Sequence, residues 1–599
     1  MRTNIWQFTK NNIYATKTIW HLSKSRVVHA AVSSAIGYFE WLFASVFFMR
    51  FIIGAIENRQ DFMYIAMFLV IATFVIGACS LYVNYVEWVV SPITGNIIRR
   101  DLYAKLYAKA RNVELYCYED ADFYNRYTMA LDNSDGKVIT ATHNFFQIVF
   151  GVVASGVAFY VMYTIDPFSV LFVISPILGN FFLGSIAGKL AGKQFEENTP
   201  HNRKIGYVGR VLYLAEFAKE VRMSKIFNLM KSRYFDGVKG NQKVATKFGK
   251  KATAALALRN IFTFAFVFEG IMLYAAFRAI VSRTMGLAEL AIMFSAMVTT
   301  SWIFIGLFEN ISQSLTNGVF IGYIKEFMDY KEKIPEDTDG LIPAESITSI
   351  EFINVSFAYK DEHTAIKNCT FTIQGGQTVA FAGHNGAGKS TLIKLLFRLY
   401  DPTEGKILVN GINIKEYNLK LYRSLFAAAF QDYKIFSLSV LDNVLLESKE
   451  GEETAKKALK QAGVWDEIKA LANGINTTLT KEFDENGTVL SEGNNQKVIV
   501  ARAFAKNAPI QVYDEPSSAL DPIAEYKLYT SIMKASRGHT TLFISHRLSS
   551  VADADIVFVM ENGTIIERGS HAELMAQKGE YSKMYIMQAE SYLAEEVAI

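Results

Sequence analysis

The sequence predicts a membrane α-helical part, six transmembrane helices with long cytoplasmic extensions, fused to a soluble α/β domain that binds phosphate on a glycine loop. Three observations carry this. Six apolar runs crowd into the first half of a 599-residue chain. The loops between them alternate between short turns with few basic residues and long, basic stretches. From about Gly340 onward the texture changes to short β-branched runs, glycine-rich turns and charged helices.

The apolar runs extend from Val27 to Ile56, Phe62 to Val90, Val138 to Ile165, Pro167 to Ala187, Thr253 to Val281 and Leu287 to Leu307. Each reaches the roughly 20 residues that a hydrocarbon core demands. The turns at ENRQD, TIDP and SRTMG hold Arg59 and Arg283 as their only basic residues, whereas the long loops hold Arg99, Arg100, Lys105, Lys109, Arg111 and Arg126, then Arg203, Lys204, Arg210, Lys219, Arg222 and Lys225. Positive charge marks the cytoplasmic side, which places both termini and the soluble domain there, in a multi-pass protein of the cell membrane. Helical periodicity persists through IIRRDLYAKLYAKARNVELY, so the spans are expected to continue as helices into the cytoplasm. The expected divisions are 1–26, a cytoplasmic amphipathic segment without a secretory cleavage pattern; 27–328, the six-helix part; 329–348, a charged linker; and 349–599, the α/β domain. No peptidase domain is expected ahead of the spans.

A net charge of +3 opposes a polyanion-binding role, and nucleic acid is not an expected partner. Cys79, Cys117 and Cys369 are isolated from one another, without metal-ligand spacing, and read as reduced or buried thiols.

The strand-like QTVAFA leads into GHNGAGKST and then an apolar helix. Gly383, Gly388, Lys389 and Ser390 match the G-x-x-x-x-G-K-[ST] pattern in the strand, loop, helix context it requires. Loop N–H groups, including those about Asn385 and Gly386, can close around phosphate, and the helix N-terminus adds partial positive charge. Lys389 would reach the β and γ phosphates, while Ser390 and Thr391 bring hydroxyls near Mg²⁺. Further on, PIQVYDEPSSALD is an apolar strand ending in two acids. Asp514 is placed to hold Mg²⁺ and Glu515 to polarise an attacking water. Two adjacent acids alone would read as a solvated strand end; after a phosphate loop in the same domain they read as a site.

The order GHNGAGKST, FQDY, LSEGNNQ, YDEPSSALD and ISHRLSS resembles the nucleotide-binding domain of ATP-binding cassette proteins, and six preceding spans resemble a type IV exporter half-transporter. The resemblance implies ATP and Mg²⁺ as ligands, ATP hydrolysis coupled to transport, and a dimer with a second half-transporter. It implies that Tyr359 stacks on adenine, Gln431 senses the γ-phosphate and helps hold Mg²⁺, His546 contacts the γ-phosphate, and Asp521 communicates across the dimer. It gives Glu485 a place near the coupling helices. Ser491 and Gly493 are the signature donors facing the partner's nucleotide. Where the family writes LSGGQ this chain has Glu492 and Asn494. Either Glu492 points outward in a homodimer, the slightly favoured arrangement, or the signature is weakened and the chain pairs with a different half.

The stretches ELYCYEDADFYNRY and AEFAKEVRMSKIF resemble coupling-helix regions, with Phe123 and Tyr124 as expected anchors in grooves of the nucleotide-binding domain. Glu40, Glu269 and Glu309 lie in or near apolar spans; they either line a path for a cationic cargo or hydrogen-bond between helices. The expected function is ATP-driven export of an amphipathic substrate by alternating access, with peptide or drug-like cargo ahead of lipid. The alternatives are a flippase for lipid or lipid-linked substrates and a regulatory membrane ATPase without transport.

Overall fold

The structure, a computed structural model, describes residues 5–336, 339–359, 364–446, 450–545, 548 and 551–597. The chain forms two compact units, Met1–Arg111 with Asp120–Lys331, and Asn112–Glu119 with Glu332–Ile599.

The first unit is helical, and the six expected spans fall within helix except for Pro167 and Phe168, which form the turn ahead of the fourth. Among the described residues, Phe62–Asn112, Ser134–Thr164 and Glu289–Asp329 are long and apolar enough to cross a membrane. The other three expected spans lie in helical runs that start at Lys24, Ser169 and Ile226. Single π-helical turns relax several of them, at Phe43–Phe47, Val86–Val90, Phe264–Gly270 and Phe277–Val281. The helices Ser169–Tyr213 and Leu287–Met328 run for 45 and 42 residues. At about 1.5 Å per residue both exceed a ~30 Å hydrocarbon core, so they extend well beyond it.

Side chains fix the ends of these helices. Ser23 stops the N-terminal helix Ile5–Leu22, and its hydroxyl accepts the Arg26 N–H to start the next. The N-terminal helix buries Ala15 and Ile19 completely. Asn11 and Asn12 donate to the Gly318 and Ser314 carbonyls, each at 2.8 Å, which ties this helix to the last long one. In the TIDP turn, Asp166 is almost wholly buried and accepts from Arg278 at 3.0 Å and from the Tyr274 hydroxyl at 2.9 Å. A buried carboxylate persists only with such partners.

Ten strands occur among the described residues of the second unit. These are β1 (Ser349–Ala358), β2 (Thr364–Gln374), β3 (Thr378–Ala382), β4 (Glu404–Val409), β5 (Ile412–Asn413), β6 (Phe426–Ala429), β7 (Ile510–Asp514), β8 (Thr540–Ile544), β9 (Ile556–Glu561) and β10 (Thr564–Gly569). An antiparallel sheet has the order β2-β1-β4-β5, and a second sheet the order β10-β9-β3-β8-β7-β6. In the second sheet β9, β3, β8, β7 and β6 run parallel.

Parallel strands are covered on both faces, which is why TVAFA and TTLFI are nearly unbroken apolar runs. Alternate residues serve opposite layers. Val379, Phe381, Val512, Leu542 and Ile544 pack toward the antiparallel sheet. Ala380, Ala382, Tyr513 and Phe543 pack toward the helices that include Glu492–Lys506. This two-sided burial brings the carboxyl ends of β3, β6 and β7 to the same edge.

The short helix Leu115–Glu119 belongs to the second unit. Leu115 and Tyr116 pack against its aromatic core. The Glu114 carboxylate accepts the backbone N–H groups of Lys333 and, at 3.0 Å, Ile334. Phe123, expected as an anchor here, instead packs on Phe327 and Tyr330 within the helical unit, and Tyr124 lies beside Tyr127. A helix register explains the correction: residues from Ala121 start a separate helix, capped by Asp120, whose apolar side faces its own unit.

Candidate nucleotide site

A cleft of about 520 Å³ opens at the strand edge, lined by Tyr359, Ala365, Asn385, Gly386, Ala387, Gly388, Lys389, Ser390, Thr391, Gln431 and Glu515. It is built from the ends of three parallel strands. β3 delivers the loop 383–388, which needs glycine where the chain turns back on itself. Gly388 has φ +104°, and a methyl group there would meet the Ala365 carbonyl at 2.7 Å. Gly383 has φ +139°, and a methyl group would collide with the Met560 carbonyl. The helix Lys389–Leu396 starts from Gly388 with no side-chain cap and no acid in its first turn, so its N–H groups remain open to an anion.

Lys389 is 6% exposed, and its ammonium donates to the Gly383 carbonyl at 2.7 Å and the His384 carbonyl at 3.0 Å. Burial lowers its pKa, while the charges of Glu515 and Asp514 work the other way. Asp514, at the end of β7, has a carboxyl pKa pushed up to about 6 by burial and by Glu515 and Asp432, against a hydrogen bond with Ser390 and the charge of Lys389. Its Oδ1 is buried without a hydrogen-bond partner. That combination fits Mg²⁺. No cluster of three His, Cys, Asp or Glu side chains occurs among the described residues, and Mg²⁺ beside phosphates needs only one or two carboxylates.

Glu515 follows with φ +49°, the left-handed region that L side chains rarely adopt, and its N–H is held by the Ile544 carbonyl at 3.0 Å. The strain turns its carboxylate out of the sheet to accept Gln431 Nε2 at 2.9 Å. Gln431 comes from the end of β6. Tyr359 sits at the rim, its hydroxyl 3.3 Å from that of Thr391.

Ser491, Gly493 and Asp521 do not line this cleft. Ser491 caps the helix Glu492–Lys506 by accepting the Asn494 N–H at 3.3 Å. Glu492 is exposed in the first turn, where a helix favours an acid. Gly493 allows close approach of the segment after β7, since a methyl group there would lie 2.9 Å from Leu520 Cδ2. Gln496, missed in the sequence, bridges the same gap: its amide donates to the Ser518 hydroxyl at 2.6 Å and accepts the Ala519 N–H at 3.0 Å. A glutamine within one helical turn of Gly493 was the signal in the sequence. Asp521 caps the helix Pro522–Ala535 through the N–H groups of Ile523 and Ala524. His546 lies outside the described residues. Glu485 is exposed, as are Glu269 and Glu309, while Glu40 Oε1 is buried without a partner.

Residues 366–518 match the family model described as ABC transporter. The chain is 40% identical over 244 residues to the ATP-dependent lipid A-core flippase of Paraburkholderia xenovorans, a match covering 40% of each chain. With the flippase of the same description from Haemophilus ducreyi it shares 33% identity over 323 residues, 53% of this chain and 54% of that one. With a probable multidrug resistance ABC transporter ATP-binding/permease protein of Bacillus subtilis it shares 36% over 271 residues, 45% of this chain and 39% of the relative. The matches thus span about half or less of these curated relatives. The solved structure of a bacterial Atm1-family ABC exporter with ATP bound superimposes with a TM-score of 0.79, covering 94% of this chain and 98% of that chain at 21% identity, which speaks for the fold. This multi-pass membrane chain thus has the fold of a bacterial ABC exporter, and its residues 366–518 match the ABC transporter model.

Proposed function

We propose that the chain is one half of an ATP-driven exporter that moves an amphipathic substrate across the cell membrane by alternating access. The observation that carries this is the separation within one chain of two half-sites. Lys389, Ser390, Gln431, Asp514 and Glu515 converge, and Ser491 and Gly493 stay outside the cleft. A complete site then requires a second chain whose signature faces this cleft. Tyr213 and Met223, 87% and 88% exposed at the end of the helical arm, support a partner that covers them.

In the closed dimer Lys389 exchanges its two carbonyl contacts for phosphate oxygens, and the open N–H groups at the start of its helix take the remainder. Ser390 and Asp514 would hold Mg²⁺, joined by Gln431. Bound Mg²⁺ supplies charge neutralisation on the phosphates. Glu515, released from Gln431, orients and polarises the attacking water, and hydrolysis separates the two halves. Both termini and the nucleotide-binding unit face the cytoplasm in this reading.

For cargo, the lipid and multidrug names of the relatives favour an amphiphile over a peptide. A lipid-type cargo with an anionic headgroup draws support from residues 237–268, which contain no acid and carry Lys239, Lys243, Lys247, Lys250, Lys251 and Arg259. Lys239, Lys243, Lys250 and Lys251 are exposed on a helix that continues into an expected span.

The test is reconstitution of the chain alone in proteoliposomes. Mg²⁺-dependent ATPase and translocation of a fluorescent phosphate-bearing lipid are expected, both abolished by Glu515→Gln. ATPase activity with no movement of lipid or of a cationic dye would favour a regulatory ATPase. A chain inactive until a second half-transporter is added would assign it to a heterodimer.

A further inference from the structure

The adenine end of the cleft is continuous with an aromatic cluster that reaches the segment 112–119. The Tyr400 ring stands edge-on to Tyr359, centroids 5.6 Å apart, and 5.3 Å from Phe357. Lys394 Nζ lies within about 6 Å of both tyrosine rings, 5.9 Å from one centroid and 6.0 Å from the other. Tyr400 is 6% exposed, and its hydroxyl donates to Glu119 Oε2 at 2.6 Å across 281 residues of sequence. Burial and the Glu119 carboxylate raise the phenol pKa, which keeps the hydroxyl protonated and donating. Glu119 ends the short helix whose other end is held by Glu114. That helix lies in the chain directly between the long helix ending at Asn112 and the one starting at Ala121.

We propose that Tyr400 is a positioning residue that relays occupancy of the Tyr359 platform to Glu119, so that the segment 112–119 senses bound nucleotide directly. The relay rests on the reading of Tyr359 as the adenine seat. Its physical basis is geometric. A purine stacked on Tyr359 restricts that ring, the edge-on contact passes the restriction to Tyr400, and a 2.6 Å charge-assisted bond is strongly sensitive to a small displacement of its donor. The route needs neither Gln431 nor Glu515, so it reports binding before hydrolysis.

The experiment is hydrogen–deuterium exchange on the full-length chain in nanodiscs, with saturating Mg²⁺ and ATPγS as the probe. In the unaltered chain the nucleotide is expected to change amide exchange across 112–119 by about tenfold or more, the range set by one hydrogen bond to a charged group. Tyr400→Phe keeps the ring and is expected to bind ATPγS within about twofold of normal yet lose most of that change. Glu119→Gln retains an acceptor and should preserve the larger part of it. A full response in Tyr400→Phe, or no response in the unaltered chain with nucleotide bound, overturns the relay. Tyr359→Ala separates the two readings: unchanged ATPγS affinity refutes the adenine seat and the relay with it, whereas weakened affinity leaves Tyr400→Phe as the deciding variant.

Discussion

Two helix N-termini in the nucleotide-binding unit make opposite use of the same physics. The helix Lys389–Leu396 starts from a glycine at φ +104°, with no capping side chain and no acid in its first turn. The helix Glu492–Lys506 starts from Ser491, which already accepts a backbone N–H, and carries Glu492 at its head. The first leaves its donors to a guest and buries a cation among them. The second satisfies one of its donors itself and offsets its dipole with its own acid. The uncapped terminus is therefore the anion seat of this chain's own cleft, while the capped one keeps fewer open donors for a site outside it.

The largest break in this contrast comes at the open terminus. Lys389→Ala removes the buried cation and is expected to weaken ATP binding more than about a hundredfold, measured by equilibrium binding of labelled ATP. Glu515→Gln leaves that binding intact and lowers ATPase turnover by about 10²- to 10⁴-fold, the usual contribution of a positioned general base.

The next effect is a pH dependence peculiar to the open terminus. The Asp514 carboxyl, at about 6, stands above its unfolded value of about 3.9. The protonated folded form thus stabilises the unit fully below about pH 4, and that contribution is lost as pH rises through about 6. At pH 8 the ionised, buried carboxylate costs the nucleotide-free unit on the order of 3 kcal/mol. Asp514→Asn should accordingly raise the Tm at pH 8 and leave it nearly unchanged at pH 4, by calorimetry without nucleotide. In the intact protein the apparent Mg²⁺ affinity in the ATPase assay should fall about tenfold per unit below pH 6, because protons compete for the same oxygen.

Smaller effects sharpen the capped terminus. Gly493→Ala would bring a methyl group to 2.9 Å from Leu520 Cδ2 and 3.2 Å from the Ala519 carbonyl. A loss of about 1–3 kcal/mol in urea unfolding is expected. Glu492→Gly removes a favourable acid from the first turn and should cost only about 0.3–1 kcal/mol. Since Glu492 is exposed, ATPase in a homodimer should change by less than about twofold. A rise of tenfold or more in that assay would mean that Glu492 faces the partner's phosphates and that the unaltered signature is weakened.

The phosphate loop was legible because its chemistry is local. Gly383, Asn385, Gly386, Gly388, Lys389 and Ser390 are neighbours in the chain, so spacing alone specifies a strand, a tight turn and an open helix start. Asp514 and Glu515 were legible as a strand end followed by acids, and the spans as apolar runs long enough for a membrane. What the sequence hid were contacts between distant segments. Phe123 and Tyr124 looked like anchors because they are aromatic, yet Leu115 and Tyr116 pack against the second unit's core, and periodicity does not say which unit a helix face will meet.

By itself, then, the sequence determined the long apolar helices, the strand, glycine loop and helix around Lys389, and the acids at the end of β7, since each depends on patterns within about 20 neighbouring residues. Tertiary structure alone decided three things. Parallel pairing of β3, β8 and β7 brings Asp514 within hydrogen-bonding reach of Ser390, and the left-handed backbone of Glu515 aims its carboxylate at Gln431. The signature helix is left outside the cleft it resembles a part of. Tyr400 and Glu119, 281 residues apart, share a hydrogen bond that only the packing of Leu115–Glu119 against the aromatic core could create, because such pairing is set by which buried surfaces fit and not by any local preference of the chain.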